Sequence, residues 1–503
     1  MSFPGIETIA GHVRGLAVPG KDVEVFFDVP FAQPKRFLPP LQPSPWSGTR
    51  YSASPGPSAP QPLKRSPETD ELSCLNATIW RPLAPRAPLP VVVFVHGGSN
   101  QFGSHRDLVS DGAQLASKGV IVVAIQYRLG ALGFLKVDQY LGNEYSESGA
   151  LAVHDVVAAL RWVHDHASTL GADTARVTLM GHSAGATLAA TVAVSPLATG
   201  LIRRLIMQSG TGERVHDEEH SAALTDSLLA VSGLDPDELL TCDSSRLIEG
   251  QTKLSAQEKP RLGLLPMPFK CQLGTRAVPQ SPLDAFRAGE SDEIAFLAGT
   301  TWVEGAAFTD DFSPEEIRVA WDNVSCGMSS SSRSSYRRAA AELGDSTDDD
   351  RQALNQLLTD VQYRRPTDRL LSSRHGRHST AATFGYVFDG RAVSTGALAS
   401  AHGSELPFVF ENVTHFTDPN IGATAYAVPA ARQISTAWAN FIIDGAPGPV
   451  SFWPSTSTEV PRLKVLGGPP SGDPRLDGAD TTRDPWQSLR KLWASMENGA
   501  TPR

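Results

Sequence analysis

Cysteine is scarce in this chain, with four among 503 residues, at positions 74, 242, 271 and 326. No two form a C-x-x-C pair, so neither a zinc ribbon nor a dithiol redox motif is indicated, and buried thiols are expected. Long apolar runs are missing too. No stretch reaches the roughly 18 apolar residues that a membrane-spanning helix needs. Residues 1–7 lack a basic segment followed by an apolar run of signal-peptide length, so the expected location is the cytoplasm. The N-x-S/T sequons at Asn76, Asn323 and Asn412 would then be silent. Basic excess is also absent: 44 Lys and Arg face 54 Asp and Glu, for a net charge of −10. Nucleic-acid binding draws its affinity from clustered cations, so a polyanion partner is excluded. No repeat is visible at spacings of roughly 20 to 50 residues.

What is present is a series of short apolar runs separated by helical patterns. Residues 91–95 and 120–126 are continuous and β-branched, as expected of strands covered on both faces. Between 148 and 166, Val153, Val156, Val157, Leu160 and Val163 recur at helical spacing. Further strands are expected at 176–180, 202–208, 294–299 and 383–388, and a helix at 184–194. The fold expected is α/β, with a mostly parallel central sheet flanked by helices and large insertions, as one domain over 1–503. The proline-rich first ninety residues, with a strand candidate at 23–27, suit a small antiparallel region ahead of that sheet. The serine-rich and acidic stretch 325–351 reads as solvated loop and helix surface.

Chemistry concentrates at Gly181-His182-Ser183-Ala184-Gly185, a G-x-S-x-G that follows one expected strand and opens a helix. That context is the strand-turn-helix of a nucleophile elbow in the α/β-hydrolase fold, which exposes Ser183 Oγ above the sheet. Acyl transfer through such a serine also needs donors for the oxyanion, each worth about 10² to 10³ in rate. His96-Gly97-Gly98-Ser99, directly after the strand at 91–95, is a turn of the kind that supplies them. The expected hole is the N–H groups of Gly98, Ser99 and Ala184, with His96 as a turn-packing residue. A histidine must accept the serine proton, and an acid must orient that histidine, in the chain order Ser, acid, His. The candidate bases after Ser183 are His216, His220, His375, His378, His402 and His415, and position after a strand favours His402.

Three segments, 181–185, G-T-T-W-V-E-G at 299–305 and H-G-S-E-L at 402–406, resemble the catalytic blocks of the type-B carboxylesterase family, which includes cholinesterases and large fungal lipases. Similar pieces lie at 29–34, 126–130, 133–134, 155 with 159–163, and 438–441, so the resemblance spans nearly the whole chain. It implies Ser183 as nucleophile, Glu304 as acid and His402 as base, acting on a small-molecule ester without metal or organic cofactor. Asp310 and Asp311 are the fallback acids.

The chain also departs from the family. His182 stands where a glutamate is usual, and Ser99 replaces the third glycine of the oxyanion turn. Cys74 resembles half of the family's early disulfide, but its partner region at 58–61 has no cysteine, which suits a reducing compartment.

Rival readings exist. His216-Asp217-Glu218-Glu219-His220 spells H-x-x-E-H, a zinc-binding pattern, although acids after a glycine-containing loop also begin helices. His375 and His378, interleaved with Arg374 and Arg377, read as a basic surface. Acyl transfer or lactone opening would use the same serine chemistry, and a hydrolase fold can serve as a binding protein when its nucleophile is lost.

Overall fold

A computed structural model describes residues 5–62, 68–83, 87–262, 267–343, 349–374, 381–396, 398–415, 420–450, 452–456, 462–467 and 486–499. Ten strands form one sheet: β1 (Leu16–Ala17), β2 (Val23–Pro30), β3 (Asn76–Pro82), β4 (Leu89–Val95), β5 (Ile121–Ile125), β6 (Ala172–His182), β7 (Arg204–Gln208), β8 (Ala295–Thr301), β9 (Thr383–Phe388) and β10 (Leu463–Leu466). Their spatial order is β10-β9-β8-β7-β6-β4-β5-β3-β2-β1. Neighbours from β10 across to β5 are parallel, whereas β3, β2 and β1 add on antiparallel.

The central parallel strands β4 and β5 are apolar throughout because both faces are covered. Val91, Val93 and Val95 of β4 and Ile121, Val123 and Ile125 of β5 join one core cluster, which also takes Val153, Val156, Val157 and Leu160 of helix α1 (Leu151–Asp165). Their alternates Val92, Phe94, Val122 and Ala124 enter the cluster on the other face, with Ile434, Trp438 and Phe441 of a long helix at Ala427–Asp444. The period of two in the strands thus feeds two layers from one continuous run.

Expected and observed elements agree closely in the parallel part, and the differences have physical causes. The strand expected at 176–180 runs on through Gly181 and His182, which pair with Met207 and Gln208 of β7. The N-terminal region is in two parts: β2 pairs with β3, and β3 with β5, so these strands extend the main sheet, whereas Gly5–Thr8, Gly11–Arg14 and Thr49–Tyr51 form a small sheet of their own and Gln33–Lys35 with Leu38–Leu41 an antiparallel hairpin. Within 325–351, the helix Ser330–Ala341 is solvated on one side but buries Tyr336 and Ala340. Cys74, Cys242 and Cys271 are buried thiols as expected, while Cys326 is exposed. Among the described residues no helix is long and apolar enough to cross a membrane.

Candidate active site

The carboxyl ends of β4, β6, β7, β8 and β9 all point to one edge of the sheet, and the loops there converge on Ser183. This residue is the hinge between β6 and helix α2 (Ala184–Ala193), at φ 56° and ψ −123°. A non-glycine residue in that region is strained and persists because its surroundings hold it. Ser183 N–H donates to Gln208 O at 2.8 Å, tying the hinge to β7. The flanking glycines are sterically required. A Cβ on Gly181 would lie 2.3 Å from Gly185 O, and one on Gly185 would lie 2.2 Å from Val95 O.

His402, beyond β9, sits between the serine and an acid. Its Nε2 is 2.7 Å from Ser183 Oγ, and its Nδ1 is 2.6 Å from Glu304 Oε2. A carboxylate can only accept, so Nδ1 carries the proton and Nε2 is left to accept from the hydroxyl. Glu304, three residues past the end of β8, is fully buried. Its other oxygen accepts from Ser209 Oγ at 2.6 Å and Thr301 N–H at 2.8 Å. Burial pushes this carboxyl upward, but the charge and bond of His402, with the Ser209 and Thr301 donors, outweigh it and hold the group below the usual carboxylate range. The structure therefore brings Ser183, His402 and Glu304 into one hydrogen-bonded line across three strand ends. Asp310 and Asp311 are exposed.

The turn after β4 runs beside the serine. Gly98 has φ 113°, and a Cβ there would meet Phe102 O at 1.8 Å, while Ser99 and Asn100 take φ 55° and 60°. Gly98 O accepts from the N–H groups of Gln101 and Phe102, which closes the turn. Among the described residues no protein acceptor takes the N–H of Gly98, Ser99 or Ala184. His96 packs the turn as expected: its ring stacks on Tyr127 at 4.7 Å, and its two nitrogens meet Gly97 O and Gln126 Nε2. Burial, only partly offset by those two bonds, lowers it to about 4, so it is neutral.

Ser209, Phe308 and Tyr363 carry no sequence signal of their own. Ser209, at φ 55° after β7, holds Glu304. Phe308 and Tyr363 flank the His402 ring at 5.3 and 4.8 Å. Glu405, buried behind the site, is pushed up to about 8 by its burial and by the charge of Glu304. His182, the departure from the family pattern, lies 4.8 Å from the His402 ring and lines a cavity of about 270 Å³ with Gly97, Gly98 and Phe102. Burial first, and the neighbouring His402 second, hold His182 far below the usual histidine range, so it brings a neutral ring where an acid would bring charge.

The other histidine candidates are placed elsewhere. His216 Nε2 meets Pro268 O, and His220 Nδ1 meets Asp217, whose side chain caps the helix Glu218–Ser232. That stretch is a helix start, and among the described residues no cluster of three His, Cys, Asp or Glu could hold a metal ion. His415 lies away from the line, bonded to Thr414. His375, His378 and Arg377 lie outside the described residues. Arg374 is not a surface residue: it is buried and donates to Ser291, Ile294 and Thr383.

A mostly parallel sheet with a strained serine between strand and helix, aligned with a histidine and a buried acid, defines the serine hydrolases of α/β-hydrolase type. Residues 2–469 match the carboxylesterase family, and the chain belongs to it. It is 28% identical to the para-nitrobenzyl esterase of Bacillus subtilis, over 93% of this chain and 95% of that protein. It is 30% identical to the phenmedipham hydrolase of Pseudarthrobacter oxydans, over 96% and 97%. Among solved structures, a carboxylesterase of Geobacillus stearothermophilus superposes with a TM-score of 0.79 at 28% identity, covering 92% of this chain and 96% of that one. The chain is a hydrolase of carboxylic esters.

Proposed function

We propose that Ser183 is the nucleophile, His402 the general base and acid, Glu304 the orienting carboxylate, and the N–H groups of Gly98, Ser99 and Ala184 the oxyanion hole. The continuous line Ser183–His402–Glu304 carries this reading. Ser183 Oγ attacks the ester carbonyl as its proton passes to His402 Nε2, and the carbonyl oxygen becomes an anion facing the three N–H groups. Collapse breaks the bond to the alcohol oxygen, which takes the proton from Nε2 and leaves an acyl group on Ser183. Water repeats the sequence on the acyl-enzyme, and the acid departs. Glu304 stays ionised throughout, holding the proton on Nδ1 and stabilising the imidazolium.

The substrate is a small-molecule ester. The members of such a line act as a unit, so Ser183→Ala and His402→Ala should each lower kcat on 4-nitrophenyl acetate by roughly 10⁴-fold or more. Near wild-type turnover by Ser183→Ala, with the protein folded, would overturn the assignment. Free thiols at all four cysteines support a reducing compartment.

A further inference from the structure

A second cavity, of about 490 Å³, has a wall that carries two cations, Arg214 and Lys270, and one acid, Glu213, in a chain of net charge −10. Arg214, His216, Lys270, Thr211 and Gln362 line it. Two of these connect it to the reacting groups. Thr211 lies two residues beyond Ser209, which holds Glu304, and Gln362 adjoins Tyr363, whose ring touches that of His402. The Arg214 guanidinium lies over the Tyr363 ring, 5.1 Å from its centre. One aromatic ring therefore separates a guanidinium from the catalytic imidazole.

The charge of Arg214 is not matched by its own hydrogen-bond partners. It donates to Met267 Sδ at 3.1 Å and to Gln362 O and Oε1 at 3.0 and 3.3 Å, all neutral acceptors. The acid beside it, Glu213, is taken by both Nε and Nη2 of Arg369, at 2.5 and 2.6 Å. His216 is held below its usual range by burial and then by the nearby Lys270 charge, so it adds a neutral ring. Pockets for small molecules are mostly apolar with a few placed polar groups, and a planar guanidinium is the group best shaped to take a carboxylate through two bonds.

We propose that this cavity is an anion subsite, and that the preferred substrates are esters carrying a second, ionised carboxylate that docks on Arg214. The proposal rests on the esterase reading above and deepens it. The carboxylate can belong to the acyl part, as in a dicarboxylic hemiester, or to the alcohol part.

The test compares charged esters with neutral partners of the same skeleton. For the acyl arm these are 4-nitrophenyl hydrogen glutarate and its methyl ester; for the alcohol arm, 4-acetoxybenzoate and its methyl ester. A charge-assisted bond gives a kcat/KM ratio favouring the charged member by roughly 10- to 100-fold, falling as salt rises. The pair that shows the preference identifies the arm. Arg214→Gln should bring that ratio to about one, and Arg214→Lys should retain part of it. If Arg214→Gln does not fold, Lys270→Gln and the wild-type salt dependence read the same ratio. No preference in either pair, or a preference that Arg214→Gln leaves intact, overturns the subsite. Failure of the wild type to hydrolyse even 4-nitrophenyl acetate would instead overturn the esterase reading.

Discussion

Two buried glutamates at the site carry opposite shifts, and the difference lies in their partners. Glu304 has the His402 imidazole and two donors, whereas Glu405 has only its own backbone N–H and a long bond from Gln208 Nε2 at 3.4 Å, and faces the charge of Glu304. The low-lying Glu304 contributes stability that is present above its unfolded pKa and lost in acid. Glu405 behaves the other way. Its folded value of about 8 exceeds the ordinary 4.5, so the folded protein holds a proton that the unfolded chain releases between those values. Its contribution is full below pH 4.5 and declines as pH rises to about 8, with a slope of up to about 1.4 kcal/mol per pH unit. Glu405→Gln cannot titrate, so wild type should lose stability relative to the variant between pH 5 and 8 in urea unfolding. Parallel pH profiles for the two proteins would refute the raised carboxyl. At this scale the sequence was legible where a residue sits inside a local pattern. Ser183 stands out from its glycines and its strand, and His96 from its turn. Glu304 needed the family resemblance, because many acids follow strands. Ser209 had no signal at all, since a serine after an apolar run is common and its role depends on a contact 95 positions away.

At the scale of elements, the turn at Ser183 is tight because two backbones approach more closely than a side chain allows. Gly185, in the first turn of α2, would set a Cβ 2.2 Å from Val95 O and 2.3 Å from His96 O, both main-chain atoms at the end of β4. Helix propensity alone favours alanine over glycine by about 1 kcal/mol. Overpacking against a fixed backbone costs about 1–3 kcal/mol and wins here. Gly185→Ala should therefore lower Tm and also kcat, because relief of the clash must move either the elbow or the oxyanion turn. At Gly327 a Cβ would meet nothing within 4 Å and φ lies outside the left-handed region, so Gly327→Ala is the matched control and should leave both nearly unchanged. A Gly185→Ala protein with wild-type Tm and kcat would show that the two backbones have room to part. Elements were legible where one physical rule dominates. The parallel strands announced themselves through β-branched runs covered on both faces. β3 and β10 did not: β3 buries Asn76 and Thr78 and ends in Arg81 and Pro82, and β10 is four residues long with Lys464 inside it. Sheet pairing, not local preference, makes those segments strands.

Across the whole molecule, the hairpin of Gln33–Lys35 and Leu38–Leu41 pairs with no strand of the large sheet, and a buried ion pair ties it to the parallel α/β body. Arg128, just past β5, donates through Nε and Nη2 to Asp155 of α1, with contacts of 2.6 to 3.1 Å, and both residues are almost wholly buried. Asp155 also accepts from Arg128 N–H at 3.0 Å. The remaining guanidinium nitrogen, Nη1, donates to Lys35 O and Leu38 O at 3.0 and 2.8 Å, gripping the N-terminal hairpin. Every nitrogen of the arginine head is thus used, and the pair joins three separate parts of the chain. A buried pair adds little net stability over an apolar replacement, but removing one partner strands the other charge and costs about 3–5 kcal/mol. Asp155→Ala should lose that amount in urea unfolding, and Arg128 would then lose its hold on 35–38, raising protease cleavage there. If instead Asp155→Ala unfolds within about 1 kcal/mol of wild type, water reaches Arg128 and the fastening lies elsewhere. The residues proposed for the ester site, from Gly98 to His402, are far apart in sequence but sit on strand ends that share this body. At permissive temperature the variant should therefore keep its kcat on 4-nitrophenyl acetate while its inactivation midpoint falls. Loss of kcat in step with stability would mean that the N-terminal part and the catalytic strand ends move together.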